Sequence, residues 1–173
     1  MNSFKLPSSD RIFGIAAFMV SIGTFLVYIY EAKLLREQQY ASALPYLEMW
    51  NSGGEADYRL LLRNNGVGPA FIKGVQVRYR GKVYKMDHVA FSDSVIARAD
   101  RVPFISTNIV VGRVIPAGHE VELIKVVNSP GAGAKLKRLF GSDSAKIEIT
   151  YASVYDEKWQ LKGHEDAPQK LDD

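Results

Sequence analysis

The chain has 173 residues, 47% hydrophobic and 24% charged, and contains no cysteine. That length accommodates one medium domain with an appendage. The lack of cysteine excludes disulfides, thiol nucleophiles, iron–sulfur clusters and thiolate zinc sites. Twenty-two Lys and Arg against 19 Asp and Glu leave a formal charge of +3, too small and too dispersed an excess to point to nucleic acid as a partner.

Residues 12–30, IFGIAAFMVSIGTFLVYIY, run for 19 positions without a charge between Arg11 and Glu31. At a rise of ~1.5 Å per residue they make a helix roughly 29 Å long, matching the hydrocarbon thickness of a bilayer. Tyr28 and Tyr30 stand at one end, where amphipathic rings favour the headgroup level. A cleavable signal peptide would have a shorter apolar run and a small-x-small site after it, whereas YIYEAKLLREQQ follows here. The segment therefore reads as a retained transmembrane anchor behind a short N-terminal tail, residues 1–11. Lys5 and Arg11 precede the span and Lys33 and Arg36 follow it, so the basic flanks balance and only the terminal amine tips the orientation. The expected placement is a single pass through a cell inner membrane, with the C-terminal domain in the periplasm. Gly14, Ala17, Ser21 and Thr24 recur at steps of three and four and form a stripe of small residues, a candidate helix–helix packing surface. Small residues are also frequent in any transmembrane helix. The same stripe continues through Tyr28, Glu31, Leu35 and Gln38.

Residues 31–44 contain good helix formers and no breaker before Pro45, and predict a juxtamembrane helical stalk. After Pro45 the period changes to two. Strands are predicted over 46–51, 58–63, 75–80 and the KVYK that follows the Arg80-Gly81 turn. More are predicted in the Ile- and Val-rich run 104–115, in EVELIKVV from Glu120, over 146–151 and in KWQLK from Lys158. Residues 89–100 and 132–140 break the rhythm as short helices or ordered loops. The tail 163–173 carries four acids and almost no apolar residue, which predicts disorder. The fold class is thus mainly β with an N-terminal transmembrane helix. Residues 45–162 are expected to form an immunoglobulin-like antiparallel β-sandwich of about eight strands with one or two short helices.

Sites are sparse. His88, His119 and His164 share no helical or hairpin spacing and read as surface or turn histidines, so no metal is expected. Glu120 and Glu122 share a strand face, but like charges on an exposed face are commoner than a catalytic or calcium pair. In SPGAGAKLKRLF, the residues Ser129, Gly131, Gly133 and Lys135 offer an anion-site candidate at a helix start, although neither GxxxxGK[ST] nor GxGxxG is matched. No GxSxG elbow is present and no nucleophile has a neighbouring base. No catalytic residue and no cofactor are expected. Arg59, Arg63, Arg78 and Arg80 alternate with apolar residues on predicted strands, among Trp50, Tyr58, Phe71, Tyr79, Tyr84, Tyr151, Tyr155 and Trp159. If gathered on one outer sheet face they make a candidate protein-binding surface; an ordinary solvated face is the plainer alternative.

The segments NNGVGPAFIKGV, IPAGHEVEL and ITYASVYDEKW resemble uncharacterised bacterial single-span membrane proteins that carry an immunoglobulin-like β-sandwich. The likeness rests on an Asn-Gly turn followed by Gly-Pro-Ala, here Asn64, Asn65, Gly66, Gly68, Pro69 and Ala70. It implies a fold and membrane attachment and no activity. The function expected is a non-enzymatic membrane protein whose domain binds another membrane or periplasmic protein, or itself, as an accessory or assembly subunit. The alternative is a membrane-tethered ligand-binding or sensory module using the anion site near 129–138. A membrane-bound enzyme is a third, with no positive feature to support it.

Overall fold

The structure is a computed structural model and describes residues 9–95, 102–142, 144–164 and 167–171. The chain divides after Ala41 into two compact units. In the first, one helix, α1 (Ser9–Ser42), runs unbroken through the apolar segment and the stalk with no buried residue. Its 18-residue window of mean hydropathy 2.2 makes it long and apolar enough to cross a membrane. The Ser21 and Thr24 hydroxyls donate to the carbonyls of Ala17 and Val20, at 2.9 Å each, so both polar groups of the small-residue stripe are satisfied inside the helix.

The second unit is built from antiparallel strands in two sheets. The first contains β1 (Leu47–Ser52), β2 (Arg59–Asn64), β5 (Ile105–Ser106) and β7 (Glu120–Lys125), in the order β1-β2-β7-β5. The second contains β3 (Ala70–Tyr79), β4 (Lys82–Tyr84), β8 (Ala145–Ala152), β9 (Lys158–Lys162) and β10 (Gln169–Lys170), in the order β10-β9-β8-β3-β4. A short β6 (Val114–Ile115) pairs with the start of β3. Two-residue alternation sets the inner faces. Leu47, Met49, Leu60, Leu62, Val121 and Leu123 of the first sheet join Ile72, Val77, Ile147, Ile149, Tyr151, Trp159 and Leu161 of the second in one buried cluster.

Two expectations need correction. The Ile- and Val-rich run 104–115 is two short strands in different sheets. Thr107 still donates to Leu123 of the first sheet, whereas Gly112 and Arg113 exchange hydrogen bonds with Ile72 of the second. A β-branched composition favours strand but does not say where a chain changes partners. The C-terminal tail, expected to be disordered, supplies β10. Gln169 registers against Gln160, Leu171 N–H donates to the Lys158 carbonyl at 2.9 Å, and Lys170 reaches Glu157. Its polar side chains suit an exposed edge strand, whose pairing depends on backbone groups.

The two helical segments cover the core. The Asp87 carboxylate accepts from the Val89 and Ala90 amides and starts α2 (His88–Val95). Pro130 opens α3 (Pro130–Phe140), in keeping with its fixed φ. Phe91 of α2 then meets Tyr79, Tyr84 and Phe140 edge-on, with ring centroids 5.5, 5.2 and 6.3 Å apart. Residues 96–100 of the expected helical stretch 89–100 lie outside the described residues.

Candidate functional site

The four arginines do not share a face. Arg59 and Arg63 lie on β2 of the first sheet, and Arg78 and Arg80 lie on β3 and its following turn in the second. Around the first pair the charges cancel. Arg59 reaches Glu122 at 3.5 Å, Glu122 also binds Lys125 at 2.9 Å, and Arg63 registers between Glu48 and Glu120. This also accounts for Glu120 and Glu122 as part of a mixed-charge strand face. Around the second pair one carboxylate, Glu148, is almost fully buried and binds Arg78 at 2.6 Å. Gln76 donates to it as well, at 2.6 Å. Burial pushes the Glu148 carboxyl up, but the Arg78 and Gln76 hydrogen bonds and the charges of Arg78 and Lys162 together hold it below the usual carboxylate range.

The glycines of the anion-site candidate have a packing role. Gly133 is buried, and a Cβ there would collide with the Glu55 carbonyl, so the loop between β1 and β2 lies directly on the first turn of α3. The Ser129 amide donates to Ala56. Gly131 and Lys135 are exposed. Of the histidines, His119 is exposed in the turn before β7, but His88 is wholly buried, contrary to the surface reading. Its Nε2–H donates to the Leu123 carbonyl at 2.9 Å and no partner reaches Nδ1. Among the described residues no three His, Asp or Glu side chains converge as metal ligands do.

The Asn-Gly motif builds one end of the domain, the near end, where residues 43–46 lead into β1. Asn64 is fully buried. Its Oδ1 accepts from the Tyr46 and Gly66 amides, and its Nδ2 donates to the Gly68 and Ile115 carbonyls, at 2.8–3.0 Å. Its backbone bonds His119 and Gly118 in the turn between β6 and β7. Gly68 has no room for a Cβ, because the Ala43 backbone lies against it. One side chain thus joins the start of β1, the end of β2, the approach to β3 and the end of β6. The Tyr151 hydroxyl adds a link between the sheets by accepting from the Leu47 amide at 3.3 Å, and burial pushes its pKa up to about 12.

Three loops of the domain present apolar side chains outward. They are Val67 between β2 and β3, Val110 and Val111 between β5 and β6, and Val154 and Tyr155 between β8 and β9, each between 45% and 66% exposed. Loop tips are normally polar or glycine-rich; Val67, Val154 and Tyr155 lie at the near end, whereas Val110 and Val111 lie beside Ile72 along the edge of the second sheet, and exposed apolar tips of this kind are candidates for a contact surface. Of these the sequence pointed only to Tyr155, since Val110 and Val111 look like strand residues and single valines in turns carry no periodic signal. Of the aromatic residues singled out, Tyr58, Tyr151 and Trp159 are core and Tyr155 is exposed. Neither protein-family models, nor curated proteins, nor solved structures match this chain.

Proposed function

We propose that this protein is a non-enzymatic, single-span membrane protein whose domain docks through its exposed apolar loops onto another membrane or periplasmic protein, as an accessory or assembly subunit. The observation that carries the proposal is the exposure of the apolar Val67, Val110, Val111, Val154 and Tyr155 on three loops of the domain. The β2–β3 loop, held by the Asn64 hydrogen bonds to Gly66 and Gly68, can bury its apolar tip in a partner with little loss of chain freedom, which favours affinity. The domain is read as an immunoglobulin-like β-sandwich. The order β1-β2-β7-β5 opposite β9-β8-β3 supports that reading, since it parallels the ABED and CFG sheets of such folds. The single span is read as an inner-membrane anchor, with the domain in the periplasm, and the length and apolarity of α1 support the anchor.

Site-specific photo-crosslinking in the native membrane tests the docking surface. A benzophenone side chain at position 111 or 154 is expected to give a discrete adduct with a second protein, and the same group at position 162 none. Equal adducts from all three positions, or none from 111 and 154, would overturn the assignment.

A further inference from the structure

His88 opens α2 with its ring wholly buried, and its Nε2 lies 2.9 Å from the Leu123 carbonyl of β7. A carbonyl only accepts, so Nε2 carries the proton of the neutral ring and Nδ1 is left bare, with no partner in reach. We propose that His88 is an acid-sensitive latch, which on taking up a proton at Nδ1 releases α2 from the first sheet while the strands stay paired. The proposal is independent of the docking loops.

The first argument is the fate of the added proton. Protonated in place, Nδ1 becomes a buried donor on a charged ring with nothing to accept from it, which is costlier than a bare neutral nitrogen. The buried Ser92 hydroxyl, one turn further along α2, donates to the His88 carbonyl at 2.6 Å. Released into water, the charged ring meets no such cost.

The second argument is what α2 leaves behind. The Leu123 carbonyl also accepts from the Thr107 amide at 3.2 Å, so it keeps a partner when His88 withdraws. Among the described residues no strand pairs with any part of 85–95, and the Met86 and Phe91 amides bond locally, to Tyr84 and Asp87. Lifting α2 therefore breaks no strand ladder. Besides His88, α2 is held by the Phe91 ring against Tyr79, Tyr84 and Phe140, and by an exposed 3.3 Å bond between Asn108 and the Asp87 carboxylate.

The charges around the ring do not rescue its protonated form. Asp87 favours that form, but its oxygens already accept from the Val89 and Ala90 amides and from Asn108, and burial prevails. Asp93 is exposed on α2, while Glu122 of β7 pairs with Lys125 and Arg59. β3 and β4 face α2 with the Tyr79 and Tyr84 rings, and α3 with Phe140. The released ring takes up its proton near pH 6.5 and the docked ring only at lower pH, so acid favours release. Between pH 7 and 5 the released fraction is expected to rise by about twentyfold.

Amide hydrogen exchange of the full chain in phosphatidylcholine nanodiscs, corrected for the intrinsic effect of pH on exchange, tests the latch. Protection of residues 89–95 is expected to fall by about twentyfold from pH 7 to pH 5, and at pH 5 these amides are expected to exchange faster than those of β2 and β7. In His88→Gln, whose amide keeps a donor for the Leu123 carbonyl, that fall is expected to disappear. Unchanged protection of α2 in the unaltered chain would overturn the proposal, as would the same fall in His88→Gln. Exchange of α2 no faster than that of the strands at pH 5 would overturn it too, because acid would then open the whole domain. Imidazole nitrogen NMR of the unaltered chain gives a reading that needs no variant. Nδ1 is expected to gain its proton only as α2 loses protection, and a protonated ring under a protected α2 would contradict the latch.

Discussion

Four hydrogen bonds converge on the Asn64 side chain where water does not reach. Alanine there leaves the Tyr46 and Gly66 amides and the Gly68 and Ile115 carbonyls without that partner, so Asn64→Ala is expected to destabilise the protein by about 3 kcal/mol or more. Asn65→Ala removes only an exposed contact with Glu48 and is expected to cost less than about 1 kcal/mol. Denaturant titration of the two variants distinguishes them. His88 adds a dependence on pH. Burial holds its imidazole below the ordinary value, against the opposing effects of the Leu123 carbonyl and the Asp87 charge. The native ring is therefore neutral, whereas the unfolded chain takes up a proton near pH 6.5. The His88 contribution is full above about pH 6.5 and is lost as the pH falls from there through the lower native pKa. The melting temperature is expected to drop between about pH 7 and 5, and less steeply in His88→Gln. Glu148, held below the carboxylate range, loses its contribution only below about pH 4.5, so the two effects separate on the pH axis.

At the scale of elements, α3 shows how one pattern serves either of two purposes. Glycines ahead of a lysine at a helix start are what an anion cradle requires, and equally what close packing against another backbone requires. The Glu55 carbonyl beneath Gly133 decides for packing. Gly133→Ala is expected to cost more than about 2 kcal/mol, since the colliding atom is backbone. Gly131→Ala, with open space around it, is expected to be neutral within about 0.5 kcal/mol. Thermal denaturation of both variants checks the contrast. Much of the fold was legible because local chemistry set it: alternation placed β1, β2, β7, β8 and β9, and the Arg80-Gly81 pair placed the β3–β4 turn. What escaped was mostly non-local. The crossing of residues 107–113 between sheets and the burial of His88 at the start of α2 depend on groups far away in sequence, whereas β10 is recruited through the backbone edge of the nearby β9, which its polar side chains do not announce. The separation of the four arginines has the same origin, because periodicity gives the face of a strand but not its sheet.

For the whole molecule, the charges and apolar groups of the domain are distributed by region. The outer side of the first sheet pairs its charges, Arg78 of the second is paired with the buried Glu148, and the near end presents valines and a tyrosine. Under the proposed function it is the exposed apolar loops that meet the partner protein. The most direct test is gentle detergent extraction of the full chain from its native membrane, followed by native mass spectrometry. The account predicts a mass made up of this chain and at least one other protein, reduced to this chain alone by Val111→Asp together with Val154→Asp. A mass explained entirely by copies of this chain, from membranes at native abundance, would contradict it.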